Sequence, residues 1–66
     1  MLSLPMNATT LIKLIEKDGW RFERQAGSHK IFKHPVKAGI VVIPEHGKKD
    51  IRKGTLGAIL KQAGLK

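Results

Sequence analysis

No cysteine occurs in the 66-residue chain. That excludes a disulfide framework and thiolate metal sites, and it fits a reducing, cytosolic compartment. Aromatic residues are scarce, with one Trp, two Phe and no Tyr. Trp20 and Phe22 fall at core spacing, which leaves no platform on which successive nucleobases could stack. No apolar run approaches the roughly 18 residues that a membrane span requires. Met1-Leu2-Ser3-Leu4-Pro5 lacks the basic and apolar regions of a signal peptide. There is no internal repeat, P-loop or Gly-rich dinucleotide fingerprint, and nothing in the pattern calls for a cofactor. Acids are few as well. Glu16, Asp18, Glu23, Glu45 and Asp50 are scattered along the chain. None pairs with a His at ligand-like spacing, which argues against the carboxylate cluster of a metal-dependent nuclease. His29 and His34, on one expected strand, point to opposite faces and cannot chelate a single ion.

What the chain has is positive charge. Thirteen Lys and Arg against five acids give a formal net charge of +8 and a pI near 10.4. With 41% hydrophobic residues the chain is globular rather than a disordered basic tail. It is long enough for one small domain, whose folding buries only about 60% of the unfolded surface and whose core supplies roughly 3–5 kcal/mol net. A charge of this sign and size points to an anionic partner.

The apolar pattern gives five elements. Ala8, Leu11, Ile12 and Ile15 share one helical face behind an Asn7 N-cap, and Gly19 can supply the left-handed stop. A helix is expected over 8–18. Residues 20–24 alternate as a half-buried strand, 25–28 turn at Gly27, and 29–33 form a second strand that ends before Pro35. A third strand over 40–43 is closed by Pro44. Its four consecutive apolar residues exceed what a strand with one wet face needs, so either it exposes one or two of them or a partner covers its outer face. Ile51, Leu56, Ile59, Leu60 and Ala63 recur at helical spacing, which predicts a helix over 52–63 stopped by Gly64. The short links require an antiparallel meander. The expected fold is α+β: an α-β-β-β-α two-layer sandwich, with a three-stranded antiparallel sheet and both helices on one face. Residues 1–6 are expected to be a leader outside a single domain over 7–66, with Met6 as a second candidate start.

Imidazole beside many cations suits phosphodiester chemistry on RNA. The 2′-hydroxyl is a built-in nucleophile, so no metal-bound water is required. A base must take its proton, an acid must protonate the departing 5′-oxygen, and cations must stabilise the charge between them. Gly27-Ser28-His29-Lys30 places a tight turn, a hydroxyl, an imidazole and an ammonium together. If Phe32, the larger apolar group, faces the helices, His29 faces the open side of the sheet with Ile31 and Lys33. His46, in the loop Pro44-Glu45-His46-Gly47-Lys48-Lys49, is a candidate secondary acid–base group. His34 reads as a strand-end residue. Ser28, Lys30, Lys33, Lys48 and Lys49 are candidate RNA contacts. Lys48, Lys49, Arg52 and Lys53 oppose the dipole at the start of the second helix, where a phosphate would account for them. Each of these residues also has an ordinary reading, as a solvated surface group.

Three blocks taken together resemble a known family. They are Asp18-Gly19-Trp20, the run Gly27-Ser28-His29-Lys30-Ile31-Phe32-Lys33-His34-Pro35, and the run from Lys53-Gly54-Thr55-Leu56-Gly57 to Gln62-Ala63-Gly64-Leu65. From about Asn7 to the C-terminus, their order and spacing resemble the HicA family, also called YcfA-like mRNA interferases. The resemblance implies a double-stranded-RNA-binding-domain-like fold and ribosome-independent cleavage of mRNA. It further implies arrest of translation and growth, and neutralisation by a HicB antitoxin. It assigns the catalytic role to the histidine of Gly-Ser-His, which is His29. The alternative of another class is a non-catalytic module that binds RNA duplexes. Against it, such modules carry a basic cluster on their second helix, whereas this one has only Lys61 between its first turn and Lys66. A third reading is a small adaptor whose apolar third strand docks on a protein.

Overall fold

A computed structural model describes residues 5–66. Helix α1 spans Ala8–Lys17 and the strands are β1 (Arg21–Ala26), β2 (His29–Lys33) and β3 (Ile40–Pro44); helix α2 spans Lys53–Gln62. The sheet is antiparallel in the order β1-β2-β3. The expected α-β-β-β-α fold is therefore present, consistent with the double-stranded-RNA-binding-domain-like architecture. Residues 1–4, within the expected leader, lie outside the described residues. Met6 packs on the core, and its carbonyl accepts from the Ile51 amide at 2.8 Å.

Local chemistry sets the helix ends. The Asn7 side chain accepts from the Thr10 amide at 2.9 Å and caps α1. At the other end Gly19 N–H donates to the Glu16 carbonyl and Trp20 N–H to that of Ile15, a Schellman closure. Helix α2 ends the same way, with Gly64 N–H on Lys61 and Leu65 N–H on Leu60. Arg52 caps the start of α2 without a side-chain hydrogen bond, and the first turn has no acid.

The core lies between the helices and one face of the sheet. Leu11 and Ile15 of α1, Leu56, Ile59 and Leu60 of α2, Phe32 of β2 and Val41 and Ile43 of β3 pack together with Trp20. Burying a side chain of this size contributes about 1.5–3 kcal/mol. Both helices lie against β3, and β1 overhangs them. This accounts for one departure from expectation: Phe22, at core spacing in the sequence, is 52% exposed. It keeps only an edge contact with the Phe32 ring, at 5.8 Å between centroids.

Strand β1 also runs further than the alternation predicts, to Ala26, and the turn shrinks to Gly27 and Ser28. The cause is a bulge. Phe22 pairs with Phe32 and Arg24 with Ile31, so Glu23 is the extra residue.

Candidate functional site

The β1–β2 turn fixes the position of His29. Gly27 has φ of 60° and Ser28 does not have positive φ, the pattern of a two-residue type II′ turn with glycine first. A Cβ at Gly27 would meet nothing within 4 Å. Conformation, not space, therefore demands glycine. Gln25 braces the loop by donating from Nε2 to the Gly27 carbonyl at 2.9 Å. On the other side the Glu45 amide donates to the Ser28 carbonyl at 2.7 Å and ties the turn to the end of β3. Both neighbouring strands thus hold the start of β2, and His29 opens it, exposed to solvent.

Register decides what His29 faces. Phe32 belongs to the core, so His29, Ile31 and Lys33 take the open face, as the larger apolar payload of Phe32 predicts. Opposite Ile31 stand Arg24 and Val42, and opposite Lys33 stand Arg21 and Ile40. Directly opposed residues share a face. The open face therefore carries an apolar centre of Ile31, Ile40 and Val42 inside a rim of Arg21, Arg24, Lys33 and His29. The apolar surplus of β3 resolves in the same way: Val41 and Ile43 are buried in the core, whereas Ile40 and Val42 remain 39% and 37% exposed on the open face.

Charge on this face is partly offset. Glu23, turned by the bulge, lies 3.2 Å from the Lys33 ammonium and 3.7 Å from Arg24. Exposed pairs of this kind are worth only about 0–1 kcal/mol, so a phosphate can displace the carboxylate at little cost.

The candidate contacts fall into three places. Ser28 and His29 stand at the turn, and Lys33 shares the open face with His29 at the far end of β2. Lys30 does not join them: it points to the helix side, where its ammonium lies 3.1 Å from the Glu45 carboxylate. His46, Lys48 and Lys49 sit in the exposed loop between β3 and α2. His46 and Lys49 line a cavity there that begins at Pro44, the cross-strand partner of His29. Among the described residues, no three His, Asp or Glu side chains gather as metal ligands.

His34 has a different task. Its Nε2–H donates to the Asp18 carbonyl at 2.8 Å, while Nδ1 accepts from the Val36 and Lys37 amides at 3.0 Å each. The ring meets Trp20 edge-on at 5.2 Å. Beside it the Lys37 ammonium donates to the Asp18 carboxylate and to the Ala63 carbonyl. Trp20 Nε1–H donates to the same Ala63 carbonyl at 3.2 Å. The hydrogen bond from Lys37 holds the Asp18 carboxyl below its ordinary pKa. This cluster joins the end of α1, the β2–β3 link and the end of α2. It commits Lys37 to this joint.

Sequence reasoning passed over two contributors to the site. Arg21 reaches the open face by register with Lys33, and Gln25 supports the turn. The usable signal was Gln25 two residues before Gly27. The bulge that sets the phase of β1 left no mark in the alternation.

No curated protein matches the chain. The family described as HicA toxin of bacterial toxin-antitoxin matches residues 8–65. That span runs from the first residue of α1 through the closure of α2, and it contains the His29 turn as well as the Asp18–His34–Lys37 cluster. The chain belongs to the HicA toxin family of bacterial toxin–antitoxin systems.

Proposed function

We propose that this toxin is an endoribonuclease that cleaves mRNA through His29 and so stops translation and growth. The observation that carries the reading is the placement of His29 at a braced turn, solvent-exposed, on the one sheet face rimmed by Arg21, Arg24 and Lys33.

RNA lies across that face with its phosphates on the rim cations. His29 acts as general base or acid in attack of the 2′-oxygen on phosphorus. A bond forms from the 2′-oxygen to phosphorus, and the bond to the 5′-oxygen breaks. The 2′-hydroxyl proton passes to the base, and the departing 5′-oxygen takes one from the acid. The products are a 2′,3′-cyclic phosphate and a 5′-hydroxyl. The Ser28 hydroxyl and the turn amides donate to the phosphate, and His46, in the loop that follows Pro44, is the candidate second proton group. The 2′-hydroxyl is the nucleophile, so this chemistry needs no metal-bound water.

The antitoxin of the system is proposed to be a HicB protein that covers His29. An acidic surface on it would complement the +8 of the toxin. Binding insensitive to salt would contradict that electrostatic part.

One gel tests the enzyme. Purified protein and His29→Ala are incubated with a defined single-stranded RNA, with and without EDTA. Cleavage that survives EDTA and is lost in the variant is the expected result. Equal cleavage by both proteins, mainly 5′-phosphate ends, or loss of activity with EDTA would overturn it. No cleavage, with salt-sensitive binding by both, would favour a plain RNA-binding module.

A further inference from the structure

Pro44 closes β3 directly opposite His29. From Pro44 the surface drops into a cavity of about 440 Å³ between the end of β3 and the start of α2. Pro44 and Ile51 give it apolar walls, and His46 adds a flat imidazole. Lys49 and Arg52 bring cations, and Asp50 brings a carboxylate. Its volume falls within the roughly 300–1,000 Å³ of small-molecule sites. That is room for a nucleotide but not for a base-paired stem.

Asp50 is the informative member. Asp18, Glu23 and Glu45 each hold a lysine, and among the described residues Glu16 stands exposed on α1 without one. Asp50 stands among Lys48, Lys49, Arg52 and Lys53 in the chain. Yet among the described residues no cation lies within ion-pair distance of its carboxylate. A carboxylate left free in a mixed cavity can accept from the N–H edge of a base. The cations beside it suit the phosphate of the same nucleotide.

Resting on the reading of His29 as the nuclease centre, we propose that this cavity is a one-nucleotide subsite. It receives a nucleotide flanking the scissile phosphate as an unpaired base, with the base edge on Asp50 and the phosphate on Lys49 and Arg52. The RNA is then single-stranded beside the cut. The preferred flanking base is guanine, whose adjacent N1–H and N2–H match the two oxygens of a carboxylate.

The test uses the full chain carrying His29→Ala, which binds without cutting. Isotope-labelled protein is titrated with a short single-stranded RNA, intact or with an abasic site at each position in turn. The amide resonances of His46, Ile51 and Thr55 should shift. Loss of the seated base should weaken binding about 5- to 150-fold, the worth of one stacked base. Asp50→Asn should abolish the preference for guanine without weakening binding of the abasic strand. Shifts confined to β1 and β2, or equal binding of intact and abasic strands, would overturn the subsite. Cleavage by the native protein separates the two ideas. Base-dependent binding without cleavage refutes the nuclease and keeps the subsite, whereas cleavage indifferent to every flanking base refutes the subsite and keeps the nuclease.

Discussion

Gly19→Ala should be among the most damaging small substitutions in this chain, for two reasons that can be separated. Gly19 has φ of 110°, beyond the left-handed helical well, and a residue with a Cβ held in such a region costs about 1–3 kcal/mol. The added Cβ would also lie 2.7 Å from His34 Nε2. His34 cannot retreat without loosening its bonds to the Asp18 carbonyl and to the Val36 and Lys37 amides, each worth about 0.5–1.5 kcal/mol net. The sum is about 2–4 kcal/mol, against a total stability of about 3–10 kcal/mol for a domain of this size. At about 4–8 °C per kcal/mol the melting temperature should fall by about 8–32 °C. Thermal denaturation followed by circular dichroism reads this directly. Gly27→Ala is the control, because its φ is also positive but its Cβ would touch nothing within 4 Å; it should cost only the conformational part, about 1–2 kcal/mol. In a His34→Ala background the crowding disappears, so Gly19→Ala should cost about 1 kcal/mol less there than in the native chain. Equal losses in both backgrounds would refute the crowding argument, and a native melting temperature for Gly19→Ala would refute both terms.

Three further outcomes follow from the same geometry. His29→Ala should lower RNA cleavage about 10²–10⁴-fold, the usual worth of a positioned acid–base group, with an unchanged melting temperature because the ring is exposed; a large thermal shift would reassign it to the scaffold. Lys33→Ala should raise KM for RNA more than Lys30→Ala does, since only Lys33 shares the face of His29; equal effects in steady-state cleavage would contradict the register argument. The depressed Asp18 carboxyl contributes stability that is present above the ordinary carboxylate pKa and is lost as pH falls through its lowered folded value. Acid titration of the fold should therefore show a step that Asp18→Asn removes, with no difference in slope between the two proteins from pH about 6 to 8.

Most of the fold was legible because each boundary has a local chemical cause. Asn7, Gly19 and Gly64 mark the helix ends by capping and closure, and Pro35 and Pro44 mark the ends of strands. Their effects operate within a few residues, so they can be read without knowing the packing. Phe22 and the length of β1 were not legible. Alternation reports a two-residue period, and the bulge at Glu23 changes the phase without altering the composition. Whether an edge strand overhangs its helices depends on where both helices come to rest, which is a tertiary outcome. The open face was readable at His29, Ile31 and Lys33 because the Phe32 phase argument needs only one strand. Arg21 and Arg24 were not placed there, since their side depends on the bulge.

The blocks that carry the family resemblance divide between two tasks, and the sequence alone does not show the division. His29 and His34 stand in one run, at opposite ends of β2, and each is a chemically competent imidazole. Their surroundings separate them. His34 uses both ring nitrogens on backbone groups, and it lies against Trp20 and over a glycine that has no room for a side chain. An imidazole committed in this way cannot exchange a proton with a substrate without breaking the joint between α1, the β2–β3 link and α2. His29 has its backbone held by the turn and its ring left in solvent, on the face that Arg21, Arg24 and Lys33 share. Asp18-Gly19-Trp20, His34 and Ala63-Gly64 thus form the joint that keeps the sheet on its helices, and Gly27-Ser28-His29 forms the end to which the proposed nuclease assigns the chemistry. Substitutions in the first set should reach activity only through stability, and those in the second should reach it directly.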